Sequence, residues 1–369
     1  MLTVAAALEQ LVATVLPFGL SEVPLEDLLG LVLGKDVCSP GDIPPFDKSL
    51  MDGYAVRTTD ISSGFASLRV TELITDGRVT TKNVEAGEAA QIMTGAPMPK
   101  GADVVIAIEE TSRDGDHVLI RTAPPRVGTN MILRGTSVRL GDCVLRAGLV
   151  LNGARIGALA ELGCAVLSTR RRPKVAVLAT GDELVPIEER PGPAQIRNSN
   201  ASMLAAQIET AGGIPVRLGI ARDDRDELRP RIQQGLQCDI LVLSGGVSAG
   251  TLGLAPNTLA EMGVAEIFYK AEMKPGKPIW FGKQDRNGQL VDGKCSESYV
   301  LGLRGNPVSS LVCCELFVRT AIRRLVGVEP ATVPPILAKL EHDYSTRPDR
   351  PTYHPARLTC GGLAVSQSL

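Results

Sequence analysis

Aromatic residues are scarce in this chain, at 3% of its 369 residues. Its core must therefore come from Leu, Val, Ile and Ala, and a row of stacking platforms for unpaired bases is excluded. Net charge is almost absent as well, −2 at pH 7. No global field draws such a chain to nucleic acid or to an anionic membrane, and neither is expected as a partner. Histidine is limited to His117, His342 and His354, and the eight cysteines form no Cys-x-x-Cys pair, only the adjacent Cys313 and Cys314. A zinc site is not expected, and the cysteines read as buried, reduced thiols of a cytoplasmic protein. No uncharged apolar stretch reaches the roughly 20 residues that cross a bilayer. The opening "MLTVAAALEQLVATVL" lacks a basic n-region and carries Glu9 in its apolar run, so it reads as a helix and not a signal peptide. Neither G-x-x-x-x-G-K-S/T nor G-x-G-x-x-G occurs, which disfavours a nucleotide-hydrolysing P-loop and a dinucleotide-binding Rossmann site.

What is present is a change of period along the chain. Leu8, Leu11, Val12 and Val15 recur at helical spacing, and "PLEDLLGLVLGKDV" (24–37) opens with Pro and two acids, as a second helix should. From about 46 to 140, short β-prone runs ("LRVTELI", "DVVIAIEE", "HVLIRTA") alternate with Gly, Asp and Pro turns, predicting a β-rich module. "LVLNGARIGALAELG" (149–163) is helical again, so a helical unit is interrupted by that module and resumed after it. From 174, strands ("KVAVLAT", "IPVRLGIA", "CDILVLS", "AEIFYKA", "SYVLGLRG") alternate with helices, the last being "NPVSSLVCCELFVRTAIRRLVG". Strands apolar on both faces, alternating with helices, predict a parallel sheet covered on both sides. Residues 331–369 fall below the roughly 40 at which domains fold alone, so this tail packs on its neighbour or is the front of something longer.

"LVLSGGVSAG" ends a buried strand in residues too small to pack, Ser244, Gly245, Gly246, Ser248 and Gly250 among them. In a doubly wound sheet, ligands bind outside the carboxyl ends of the strands. Glycines let backbone N–H groups approach an anion, and each hydrogen bond to a charged oxygen contributes about 1.5–3 kcal/mol. A tight strand-to-helix turn needs the same glycines, so this motif alone leaves both readings open. Other strand ends favour the anion site. "LATGDELV" presents Thr180, Gly181, Asp182 and Glu183; "RGNPVSS" presents Arg304, Gly305, Asn306, Pro307, Ser309 and Ser310; "MKPGKPIWFG" brings Lys274, Pro275, Gly276 and Lys277 on a stiff loop. Two further loops, "PPFDKSLMDGYAVR" (44–57) with Ser49 and Asp52, and "IMTGAPMP" (92–99) with Thr94, are stiff and polar, as functional loops often are.

Together with "QIMTGAPMPKGADVVIAIEE", these motifs, in this order, resemble the molybdopterin molybdenumtransferase (MoeA) family, related to the gephyrin E domain, from about residue 5 to 330. The resemblance implies a multidomain α/β chain of four subdomains. These are a discontinuous helical one (1–45 with 141–172), an inserted β-rich one (46–140), a three-layer α/β molybdopterin-binding domain (173–329) and a short C-terminal β subdomain (330–369). It implies a homodimer whose cleft is shared between subunits, with adenylylated molybdopterin and molybdate as substrates, AMP released and Mg²⁺ required. Molybdopterin adenylyltransferase would be the substrate donor and apo-molybdoenzymes the recipients. By the same resemblance, Asp52, Thr94, Glu183, Lys274 and Lys277 are the catalytic candidates, and Asp52, Asp182, Glu183, Asp223 and Asp224 the metal candidates. Ser49, Gly181, Asp182, Asn200 ("NSN") and the strand-end residues above would bind the ligand. Three motifs depart from the family pattern: "LRG" is followed by Thr136 and Ser137, "GGVSAG" by Gly253 after two intervening residues, and "GNP" is preceded by Arg304. Lost carboxylates lower the expected affinity for Mg²⁺, which keeps a weakened molybdopterin carrier or a scaffold protein as the alternative to a full enzyme.

Overall fold

The computed structural model describes residues 1–246, 254–286, 297–334, 336–340, 345, 350–354, 356–358 and 363–366. The chain forms two compact units, Met1–Lys35 with Ala147–Leu369 and, between them in sequence, Asp36–Arg146.

In the larger unit, six strands make one sheet in the order Ile214–Ala221, Lys174–Thr180, Ile240–Ser244, Glu297–Leu303, Trp280–Asp285, Ala265–Tyr269. The first four run parallel and the last two antiparallel. The expected parallel sheet is thus extended by an antiparallel pair at one edge. Trp280–Asp285 escaped the sequence reading because it follows directly on a Pro/Gly loop. Alternate residues feed opposite cores: Val175, Val177, Ile240 and Val242 face one, Ala176, Leu178, Leu241 and Leu243 the other. That double burial is why these strands read as unbroken apolar runs.

The helices Val4–Thr14 and Ser199–Thr210 and the helical run 307–325 cover one face; Arg225–Gly235 and Leu254–Glu261 cover the other. The first helix starts where Thr3 caps Ala6 N (3.2 Å) and buries Ala7, Leu11 and Val15 against the sheet. The helix predicted over 24–37 does not form. Only the single turn Leu25–Asp27 is helical, and Val32–Leu33 joins a sheet with Val166–Arg170. Glycine decides this: Gly30 sits at φ 77°, outside the helical region, and Gly34 packs where a Cβ would overlap Leu20. The tail pairs back, with Thr352 bridging Lys274, and forms a three-stranded sheet of Lys339–Leu340, Leu363–Ser366 and Ala356–Leu358. Among the described residues no helix is long and apolar enough to cross a membrane.

The unit Asp36–Arg146 is β-rich, as its turn-punctuated sequence predicts. Its six-stranded sheet runs Val104–Ala107, Gly53–Val56, Glu88–Ile92, Phe65–Ile74, His117–Arg121, Thr111–Asp114. Small apolar clusters sit on both faces, Tyr54 and Val56 on one, Ala55 and Ile92 on the other.

The cysteines divide. Cys238, Cys313 and Cys314 are buried as expected, but Cys38 and Cys143 are exposed; among the described residues their two strands form a sheet of their own.

Candidate active site

Three parallel strands end side by side. Lys174–Thr180 runs into Gly181, Ile240–Ser244 into Gly245 and Gly246, and Glu297–Leu303 into Arg304 and Gly305. Gly245 and Gly246 take φ of 100° and 63°. A Cβ on Gly245 would overlap Thr180 O, and one on Gly246 would sit 2.5 Å from Thr180 Oγ1, so only glycine lets these tips close up. The N–H of Gly245 is already given to Leu303 O (3.0 Å). It extends the sheet and is not an anion donor.

Asn200 ties the tips together. It lies in the first turn of the helix that Asn198 caps, and its Nδ2 donates to Ser244 Oγ (2.9 Å) and Gly305 O (2.7 Å). Asn200 Oδ1 and Thr180 Oγ1 are buried with no hydrogen-bond partner among the described residues. Both residues line a recess of about 60 Å³ shared with Glu183, Ser244, Gly305 and Pro307. Buried polar atoms are nearly always paired, so these two orphans mark the recess as a seat for a ligand's polar group.

A second, wider pocket adjoins the same turn. Lys270 N bonds Ile279 O (2.9 Å) and Ala271 N bonds Lys277 O (3.1 Å), closing a loop that carries Lys274, Pro275, Gly276 and Lys277. Gly276 has φ 101°, and a Cβ there would lie 2.6 Å from Cys313 Sγ. The tail segment pairs with this loop, Lys274 N to Pro351 O (2.9 Å) and Tyr353 N to Lys274 O (2.7 Å). Lys270, Lys274, Lys277, Arg304 and Arg350 then line a cavity of about 550 Å³ with Ser309, and no described lining residue is acidic. In the turn beside it, Asn306 Oδ1 caps the helix by accepting from Ser309 N (3.1 Å) and Oγ (3.3 Å), and Ser310 Oγ donates to Arg304 O. Asn306 and Ser310 therefore shape the turn, while Ser309 and Arg304 face the cavity.

The acidic candidates lie at the first strand tip. Asp182 Oδ1 accepts from Asp223 N (3.2 Å), and the Glu183 carboxylate lies over Gly181. Desolvation first, then the charges of Asp182 and Glu183, push the Asp223 carboxyl up from its usual value. Asp224 is engaged elsewhere, its Oδ1 capping Asp226 N (2.9 Å) and Glu227 N (3.2 Å). Among the described residues no three Asp, Glu, His or Cys side chains converge on one ion position.

Ser49, Asp52 and Thr94 belong to the other unit. Asp52 Oδ1 accepts from Thr94 N (2.7 Å) and Thr94 Oγ1 (2.8 Å), and these two bonds hold its carboxyl below the usual range. Ser49 is buried, with Oγ donated to Met51 O (2.6 Å), so its hydroxyl closes the turn that presents Asp52. Ser248, Gly250 and Gly253 lie outside the described residues. Arg350 and Lys270 were missed from sequence: "RPDRPTY" carries no motif, and only its pairing beside Lys274 brings Arg350 to the cavity.

Residues 2–163 match the MoeA N-terminal region (domain I and II), and residues 176–324 a probable molybdopterin-binding domain. A molybdopterin molybdenumtransferase of Staphylococcus aureus (strain COL) is 34% identical over 331 residues, 88% of this chain and 75% of that protein. One from Nostoc sp. (strain PCC 7120) is 35% identical over 319 residues, 85% of this chain and 71% of that one. Two solved structures of molybdopterin biosynthesis MoeA protein from Pyrococcus horikoshii superpose with TM-scores of 0.80 and 0.81, at 31% and 28% identity. They match 100% and 99% of this chain and 90% and 89% of theirs. Matches on both halves and likeness along almost the whole length lead to one conclusion: the chain belongs to the MoeA family of molybdopterin molybdenumtransferases.

Proposed function

We propose that this chain inserts molybdate into adenylylated molybdopterin, releasing AMP and molybdenum cofactor. The observation that carries the reading is the cavity with five cationic side chains, and no acidic residue among its described lining, beside the joined strand tips. Tetrahedral oxyanions and phosphates are held by such charge-assisted donors. Lys274 and Lys277 would hold molybdate, and Arg304 would clamp a phosphate through its planar fork. Thr180 Oγ1 would donate to a phosphate oxygen, and Asn200 Oδ1, an acceptor only, would meet a ligand N–H such as that of the pterin.

Mg²⁺ is part of the proposal. Asp182, Glu183 and Asp223 fit it in one respect: burial first, and then the charges of Asp182 and Glu183, raise the Asp223 carboxyl, and a divalent cation relieves the repulsive part. With no three ligands converging among the described residues, the ion would be held by one or two of these carboxylates, water and substrate phosphates. When bound, it would neutralise charge on the phosphates between which the AMP bond breaks.

The proposal extends to a cytoplasmic homodimer in which the partner's loop bearing Asp52 and Thr94 completes the cleft, and to the four-subdomain division. Phe46, Leu50 and Met51, each more than 40% exposed beside Asp52, support a covered surface there. Molybdopterin adenylyltransferase would supply the substrate, and apo-molybdoenzymes would receive the product.

The test is reconstitution of an apo-molybdoenzyme from adenylylated molybdopterin and molybdate, with and without Mg²⁺. Mg²⁺-dependent activity with AMP release is expected. Tight ligand binding with no AMP released and no molybdenum inserted would refute it in favour of a molybdopterin carrier, the reading that the non-acidic Thr136 and Ser137 favour.

A further inference from the structure

Arg170, Arg172, Arg319 and Arg323 converge on a pocket of about 140 Å³ in the larger unit. It lies at the other end of the sheet from the candidate active site. Arg172 precedes the strand Lys174–Thr180, whose seven residues span about 20 Å. Three of the guanidinium groups are set in place by backbone carbonyls. Arg170 Nε donates to Phe18 O (2.9 Å). Arg172 donates Nε to Gly212 O (3.0 Å) and Nη2 to Gly213 O (2.6 Å). Arg323 donates Nε to Ala331 O (2.8 Å) and Nη2 to Pro330 O (2.8 Å). Each keeps at least one terminal amine uncommitted among the described residues. Gly327, at φ 73°, seats Arg170: a Cβ there would lie 2.6 Å from its Nη1.

Arginines at helix ends often only balance the carbonyls there, so the charges must be compared. Two helices, Ser199–Thr210 and Arg319–Leu325, end at this pocket and bring about half a negative charge each. Glu315, paired with Arg319, brings one more, and no described lining residue is acidic. Against four guanidinium groups this leaves about two positive charges unbalanced. Desolvation first, then the charge of Arg319, hold the Arg323 guanidinium below its usual value.

We propose that this pocket is a binding site for a single tetrahedral dianion of the phosphate class, separate from the active-site cavity. A volume of about 140 Å³ holds roughly four or five water-sized groups, the size of one phosphate and too small for a nucleotide. Planar guanidinium forks match its oxygens in pairs.

The test uses the full chain carrying Lys274→Ala and Lys277→Ala, so that anion binding in the active-site cavity is suppressed. Inorganic phosphate is titrated by calorimetry and by thermal shift, with glycerol phosphate in parallel to tell a free ion from a phosphate ester. Saturable binding is expected, weakened at least about tenfold by Arg319→Gln, which removes one charge-assisted donor. Ala211→Glu, which puts a tethered carboxylate at the pocket wall, is expected to abolish binding while keeping or raising the unfolding temperature. Neither change in the otherwise wild-type chain should alter molybdenum insertion. Absence of saturable binding, or binding that survives both substitutions, overturns the proposal.

A separate observation concerns Cys38 and Cys143. They are exposed and directly opposite on antiparallel strands. Ser39 N donates to Asp142 O (2.8 Å), which makes Cys38–Cys143 a non-hydrogen-bonded pair. In such pairs the Cα atoms are about 4.5 Å apart, within disulfide reach. We infer that this pair forms a reversible disulfide with a low-molecular-weight disulfide as oxidant. The Cys38 thiolate attacks oxidised glutathione, giving a mixed disulfide and one glutathione. The Cys143 thiolate then displaces the second glutathione, so two thiols are oxidised and one disulfide reduced. Desolvation and the Asp36 carboxylate hold the Cys143 thiol above its usual value, which makes it the second nucleophile. Treatment of the full chain with oxidised glutathione should give Cys38- and Cys143-containing peptides joined with loss of two hydrogens, the joined peptide disappearing in Cys38→Ser. Stable glutathione adducts on both cysteines without a cross-link would defeat the inference.

Discussion

Replacing Lys274 and Lys277 together with alanine is expected to lower molybdenum insertion at least about 100-fold, since each lysine–oxyanion bond contributes about 1.5–3 kcal/mol. Both side chains are exposed, so the fold should lose no more than about 0.5 kcal/mol. The loop itself is held by backbone bonds, Ala271 N to Lys277 O and Lys274 N to Pro351 O, which alanine leaves intact. The reading is a molybdate titration beside the reconstitution assay: oxyanion affinity and insertion should fall together. Wild-type molybdate affinity in the double variant would place the oxyanion elsewhere and remove the central support for the proposed reaction.

Arg171→Ala should be the most damaging single substitution for stability among the charged residues considered. Arg171 grips Asp239 with both terminal amines (2.7 and 2.6 Å), Asp239 also accepts from Lys174 N (2.8 Å), and the guanidinium lies 3.9 Å over the Phe18 ring. The partners differ in access to water, with side-chain exposures of 30% for Arg171 and 6% for Asp239. Removing the arginine strands a buried carboxylate, for which about 3 kcal/mol is expected. Asp239→Asn keeps an acceptor for Lys174 N and leaves a cation with access to solvent, so it should cost less. Denaturant midpoints of the two variants test the order. Equal or reversed losses would show that the pair contributes little beyond its packing.

How much of this was legible beforehand follows from where the information sits. Ile214–Ala221 was readable from "IPVRLGIA" and Lys174–Thr180 from "KVAVLAT", because burial on both faces demands an unbroken apolar run. Arg225–Gly235 was readable despite Pro230, since proline in the second turn of a helix removes few hydrogen bonds. The region 24–37 misled, because two leucine-rich turns resemble a helix until Gly30 and Gly34 are given their backbone roles. Within the site, the glycine-rich tips and the lysine loop were visible as motifs. That Gly245 gives its N–H to Leu303 and Asn306 its side chain to a helix cap was not.

The sequence by itself determined the family, the α/β sheet and the small-residue strand ends, because these rest on local spacing and on each strand's own burial. Only the tertiary structure decided which polar atoms remain to meet a ligand, since a hydrogen bond between distant segments uses up a donor without leaving any mark in either segment. It also brought Arg350 to Lys274 and gathered Arg170, Arg172, Arg319 and Arg323 around one pocket. Charges separated by some 150 residues along the chain become neighbours only when the sheet between them has formed.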